Sequence, residues 1–313
     1  MGEVRVRGGH SVEGTPVLAL RKAAGHLVRR AQQRHTTLWS HEFDGVLTGP
    51  QYAVIAAIGA ESGLDQRTVG ERASLDKSSV ADVVARLEGG GWLRLSKDPS
   101  DGRRKTLRLT ALARTALADV TRRVVIVQER LLAPLPAATS KEFLDRLRLV
   151  AYAGHPPVSG EAVEQVLALG TTPGHLIRRA QQVHTVAWVE EVGRTVTSSQ
   201  YAVLSALWAH PLGIEQSAGA DLASLDPSTM ADIVARLVRR GWVTRTRDPA
   251  DARRRLLRLA DGVAAELAQL RPAVDRVQHR LLTPLSDEAA RVAFLDQLSV
   301  VAYADGVPPA AAS

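Results

Sequence analysis

His35 and Trp39 stand four residues apart, and His184 and Trp188 repeat the spacing. Four residues place both side chains of a pair on one helical face. Arg29, Arg30, Arg178 and Arg179 lie one to two turns earlier, and Gln51 with Tyr52 and Gln200 with Tyr201 follow. Aromatic walls with a few convergent polar groups suit a small ligand; the same residues could instead tie their helix into an interface. A second set is short and polar: Lys77, Ser78, Ser79 and Asp82 behind Asp76, and Ser228, Thr229 and Asp232 behind Asp226. Hydroxyls and an ammonium can bond to bases or phosphates, or form a solvated face behind a helix cap. A third set concentrates charge. Arg103, Arg104 and Lys105 sit beside Asp98 and Asp101; Arg253, Arg254 and Arg255 sit beside Asp248 and Asp251. Arg236, Arg239, Arg240, Arg245 and Arg247 add a basic stripe in the second half, unless such clusters are only solvated.

None of these sets is catalytic. The sequence shows no nucleophile elbow, phosphate-cradling glycine loop, metal-spaced histidine pair or adjacent acid pair. No enzyme activity, metal or cofactor is expected. The absence of cysteine excludes disulfides, thiolate nucleophiles and Cys-ligated metal sites.

Composition agrees with an anionic partner. The chain of 313 residues carries 40 Lys+Arg against 33 Asp+Glu, a formal charge of +7. Residues 1–156 hold 24 basic and 16 acidic residues and residues 157–313 hold 16 and 17, so one half dominates long-range attraction to a polyanion. No apolar run is long enough to span a membrane. The opening residues lack the apolar centre of a signal peptide, so a cytoplasmic protein is expected.

The elements that must position these residues occur twice. GHLVRRAQQRHT at Gly25 returns as GHLIRRAQQVHT at Gly174, and ASLDKSSVADVVARL at Ala73 returns as ASLDPSTMADIVARL at Ala223. DPSDGRRK at Asp98 returns as DPADARRR at Asp248. The chain is an internal duplication, with one domain over 1–156 and a second over 157–313, joined near GHPPVSG.

Within one copy, apolar periodicity predicts a long first helix from Val17 to Phe43 and a second from Gln51 to Ala60, with Thr48 as its cap. A short segment spans Leu64 to Arg67 and a small helix Thr68 to Leu75. Asp76 caps the next helix, which stops at Gly89-Gly90-Gly91. Two alternating segments, Trp92 to Asp98 and Lys105 to Thr110, read as paired strands. A helix over Ala111 to Leu132 and a last one over Lys141 to Ala153, capped by Thr139 or Ser140, complete the unit. The fold class is mainly α with small β-hairpins (α+β), containing a helix-turn-helix with a hairpin behind it.

This arrangement resembles the MarR family of winged helix-turn-helix regulators. LDKSSVADVVARLEGGGWL followed by DPSDGRRKTLRLT, and LDPSTMADIVARLVRRGWV followed by DPADARRRLLRLA, carry the resemblance, once per copy over nearly the whole chain. It implies a transcriptional regulator, most simply a repressor, whose double-stranded DNA contacts come from Lys77, Ser78, Ser79 and Asp82 and from Ser228, Thr229 and Asp232. The wing arginines Arg103 and Arg253 would enter a minor groove, oriented by Asp101 and Asp251, and Arg104 and Arg254 would also contact DNA. Small aromatic or phenolic effectors would bind at Arg30, His35, Trp39, Gln51 and Tyr52 and at Arg179, His184, Trp188, Gln200 and Tyr201. Because such regulators act as homodimers, the fused copies would form a pseudo-two-fold dimer on a pseudo-palindromic operator. Self-association of two chains is the rival assembly, and effector-independent architectural DNA binding the rival function.

Overall fold

The computed structural model describes residues 17–97, 105–156, 166–248, 251 and 254–304. The first copy contains α1 (Ala24–Phe43), α2 (Gly49–Ala60), α3 (Gln66–Ala73), α4 (Lys77–Gly89), β1 (Leu93–Lys97), β2 (Lys105–Leu109), α5 (Ala111–Leu132) and α6 (Ala137–Ala151). The second repeats the order with α7 (Pro173–Glu191), α8 (Ser198–Trp208), β3 (Ile214–Glu215), α9 (Gln216–Ala223), α10 (Pro227–Arg239), β4 (Val243–Arg247), β5 (Arg255–Leu259), α11 (Val263–Leu282) and α12 (Glu288–Tyr303). The mainly helical class with small antiparallel hairpins is observed. Among the described residues, no helix is long and apolar enough to cross a membrane.

The first helix begins at Ala24 and not at Val17. Residues 17–23 contain a 3-10 turn, Leu20–Lys22, between extended residues Ala19 and Ala23. Their backbone bonds outward: Leu18 N–H donates to the Tyr201 hydroxyl, and Arg271 donates to the Val17 carbonyl. A helix there would need those groups for itself. The last helix of the copy starts early, at Ala137 behind Pro136. The Ser140 hydroxyl donates to the Pro136 carbonyl, so it is no cap. The short segment at Leu64 forms a single bridge to Leu107, whereas β3 pairs with β5 over two residues. The hairpins are in register from Leu93↔Leu109 to Lys97↔Lys105 and from Val243↔Leu259 to Arg247↔Arg255.

Packing divides the described chain into two compact units. One comprises residues 17–29 with His184–Leu282, the other Arg30–Val183 with Thr283–Ala304. Each unit therefore holds one winged helix-turn-helix together with the segment that opens the other copy's first helix. In the second of these units the core joins Trp39, Phe43, Tyr52, Ile55, Val84, Leu107 and Val124, with Val166 from the following copy. In the first it joins Trp188, Tyr201, Leu204, Val234, Leu257 and Val274, with Val17 from the preceding copy. At about 1.5–3 kcal/mol for each large apolar side chain removed from water, these cores fix the hairpin and both helices of the turn.

Candidate functional site

The two helix-turn-helix pairs are α3–α4 and α9–α10. Val80, Val84 and Leu87 recur at four and three residues and face the core, which turns Lys77, Ser78 and Asp82 to solvent. Met230, Ile233, Val234 and Leu237 do the same for α10, leaving Ser228 and Asp232 exposed and Thr229 half-buried. Asp76 is the cap of α4. One of its oxygens accepts the Ser78 and Ser79 amides at 2.9 and 2.8 Å and the Ser78 hydroxyl at 2.6 Å; the other accepts the Ser79 hydroxyl at 2.7 Å. The serine hydroxyls, followed by the backbone amides, hold the Asp76 carboxyl well below the usual carboxylate range. Asp226 repeats the device, accepting the Ser228 hydroxyl at 2.5 Å and the Thr229 amide at 2.9 Å. The hydroxyls expected to meet DNA are thus pre-ordered at the helix start, where they must exchange partners to reach a base.

The wings are only partly visible. Asp101, Arg103, Arg104 and Arg253 lie outside the described residues. Arg254 pairs through Nε with Glu215 at the end of β3, and its Nη1 is 3.7 Å from Asp248. Those acids hold it at the turn end of the β4–β5 hairpin.

The ligand candidates separate into three groups. His35, Trp39 and Tyr52 line one cavity of about 170 Å³, together with Gln128, Thr172, His175 and Arg178. His184, Trp188 and Tyr201 line a second, of about 20 Å³, with Gln278, Ala23, His26 and Arg29. Gln51 and Gln200 do not line either. Each closes a capping box, its carboxamide oxygen accepting the Thr48 amide at 2.7 Å or the Thr197 amide at 2.9 Å. Arg30 and Arg179 do not line them either. Arg30 lies over the Tyr303 ring and Arg179 over the Tyr152 ring, both at 4.1 Å.

The cavities are built from both copies. His35 is buried, and its Nε2 accepts from the Gln128 carboxamide at 3.4 Å, while the Gln128 oxygen accepts the Gly174 amide at 2.8 Å. The Gly174 contact fixes the amide orientation and so places the imidazole proton on Nδ1. Burial, aided by the Arg178 charge, lowers the His35 pKa to about 4. His184 falls to about 4 for the same reasons, with Arg29 as the charge. Trp39 and Trp188 donate their ring N–H to the Leu47 and Val196 carbonyls, at 2.5 and 2.7 Å, and thereby fix the loop leading to the next helix.

Arg178 is one of the four candidate arginines, and His175, which the sequence reading does not name, lies with it in the repeated GHL-x-RR string. Arg178 Nη2 donates to the Ala73 carbonyl and approaches His175 Nδ1 at 3.1 Å. Its Nε and Nη1 are buried without a partner, and burial brings its pKa down to about 10. His175 Nε2 is 3.3 Å from the Ser74 hydroxyl, which also accepts from Arg179 Nη1 at 3.0 Å. Gln182 donates to the Ser74 carbonyl at 2.6 Å. Burial, with Arg178 and Arg179 nearby, pushes the His175 pKa well down. Ser74 sits at φ 52° in the turn between α3 and α4. Three side chains of α7 thus grip a left-handed serine two residues before the cap of α4, and a fourth, Arg178, holds the residue before it. Arg29 and His26 repeat part of this grip on Ala223 and Ser224.

MarR-family models match residues 47–104 and 196–254, one per copy. The transcriptional regulator HosA of Escherichia coli O127:H6 is 37% identical over 131 residues, covering 42% of this chain and 96% of HosA. The repressor NicR of Pseudomonas putida is 31% identical over 87 residues, covering 28% of this chain and 55% of NicR. A solved structure of the PcaV transcriptional regulator from Streptomyces coelicolor with its natural ligand is 45% identical, covers 44% of this chain and 99% of PcaV, and has a TM-score of 0.42. The family-model match in each copy and the likeness to HosA over nearly its whole length give one answer: the chain belongs to the MarR family.

Proposed function

We propose that this chain is a DNA-binding transcriptional repressor released by a small aromatic or phenolic acid. The observation that carries the reading is the double position of Arg178, which lines the larger cavity and donates to Ala73 at the turn of the helix-turn-helix. An aromatic acid would lie in the cavity against Trp39 and Tyr52, with its carboxylate on the unpartnered Nε and Nη1 of Arg178. Neutral His35 offers its Nδ1 proton to a polar substituent. Turning the guanidinium towards the ligand draws it from the Ala73 carbonyl and loosens the turn that sets the start of α4. The effector acts only through its different affinity for the two arrangements. A ratio of about 100 corresponds to roughly 2.7 kcal/mol of coupling. One chain would serve one pseudo-palindromic operator, reading it with the starts of α4 and α10 and with the wings.

Operator fragments captured from genomic DNA, followed by mobility shifts with 4-hydroxybenzoate, 2-hydroxybenzoate and 6-hydroxynicotinate, test the proposal. Release by one of these acids is expected, with Arg178→Gln resisting release. Tight DNA binding that no acid disturbs would favour an effector-independent architectural protein. The mass of the DNA complex tests the stoichiometry, and two chains per minimal site would overturn the single-chain reading.

A further inference from the structure

We infer that each chain takes one effector, in the cavity beside His35, and that the cavity beside His184 is closed to it. The inference rests on the effector reading above and adds its stoichiometry and the residues that set it. The two cavities measure about 170 and about 20 Å³. An apolar cavity of about 150 Å³ admits benzene, whereas roughly 10–15 Å³ holds one water. One site therefore has room for an aromatic ring, and the other has room for a water molecule.

The difference is written in the sequence at positions that correspond between copies. Gly49 lines the first cavity, and the space for its missing Cβ lies 3.8 Å from His35 Cε1 and 3.9 Å from Trp39 Cε3. Ser198 stands in its place in the second cavity and fills that space beside His184 and Trp188. Ser40 and Gly45 also line the first cavity, and the second copy has Val189 and Arg194 at these positions. Neither of these lines the second cavity. The loop there is also tied down. Arg240, at the end of α10, donates to the Thr195 carbonyl at 2.5 Å and stacks over Trp242 at 3.7 Å. The first copy has Gly90 in place of Arg240, so it lacks that tie. The shared floor is kept, since His, Trp, Tyr, Gln and Arg recur in both. What differs is volume and access.

The consequence is a regulator with a single input. Induction should follow a simple hyperbola, without the steepness that two coupled effector sites would give.

Calorimetry of the full chain with 4-hydroxybenzoate, 2-hydroxybenzoate and 6-hydroxynicotinate is the test, together with Gly49→Ser. A stoichiometry of one per chain is expected, and Gly49→Ser should weaken binding by tenfold or more. A methylene at Gly49 meets its neighbours only at ordinary contact distance, and a urea midpoint equal to that of the parent chain checks that the variant folds. Two sites per chain, or one site indifferent to Gly49→Ser, would overturn the inference while leaving the effector reading intact. No binding of any acid would defeat the effector reading and this inference with it.

Discussion

A Cβ atom on Gly174 would stand 2.1 Å from Nε2 of His35, and one on Gly25 would stand 2.0 Å from Nε2 of His184. In each cavity the imidazole rests against a glycine contributed by the opposite copy. This explains the glycine of the repeated GHL string, at which any side chain would displace the ring. Gly174→Ala should cost about 3 kcal/mol, the upper range for overpacking, and should also disturb the cavity. Chemical denaturation checks the stability. A loss below about 0.5 kcal/mol would mean that His35 moves aside freely, against the packing described.

The histidines make stability depend on pH in a definite direction. His35 and His184 have pKa values of about 4 in the fold against 6.5 in the unfolded chain. Between these values the unfolded chain binds protons that the fold refuses. Their contribution is therefore complete above pH 6.5 and is lost as pH falls to 4, by an amount on the order of 3 kcal/mol for each. Urea midpoints at pH 7.5, 5.5 and 4.5 measure it. The double variant His35→Gln, His184→Gln should flatten the profile, and an unaltered slope would refute the assignment.

Ser74→Ala removes the acceptor used by Arg179 and the partner of His175. Leaving these buried donors unpaired should cost about 1–3 kcal/mol. Because the turn sets the start of α4, operator affinity should fall as well. Equal stability and affinity to the parent chain would show that the α7 grip is incidental.

Arg103→Ala or Arg253→Ala should weaken operator binding by roughly 1–3 kcal/mol. This expectation comes from the wing sequence, because both residues lie outside the described part of the chain. Parent affinity for both variants in mobility shifts would remove the wings from the interface.

The duplication, both helix-turn-helix pairs and the hairpins were legible because their signals are local. Asp76 and Asp226 announce helix starts, alternating residues announce strands, and Ala111–Leu132 was read with its observed bounds. His35, Trp39 and Tyr52 could be gathered because they share helix faces and an aromatic character. A capping-box glutamine and a ligand-binding one look alike in sequence, and only the fold shows that the Thr48 amide claims Gln51. Arg178 was harder to rank against Arg179. Adjacent residues point about 100° apart on a helix, and only the tertiary fold shows that Arg178 meets the cavity while Arg179 stacks on Tyr152. The extended arm at residues 17–23 was unreadable for a similar reason, since its partners Tyr201 and Arg271 are more than 180 residues away.

The cavity beside His35 draws Gly174, His175 and Arg178 from the second copy, and the one beside His184 draws Gly25, His26 and Arg29 from the first. Inheritance is thereby crossed. A change in the opening of one repeat is felt in the pocket of the other, so the two halves cannot drift as independent genes would. Severed at the linker, each half would carry the histidine of one pocket and the arginine of the other. Neither would possess a complete cavity wall until the opening residues of its twin were supplied.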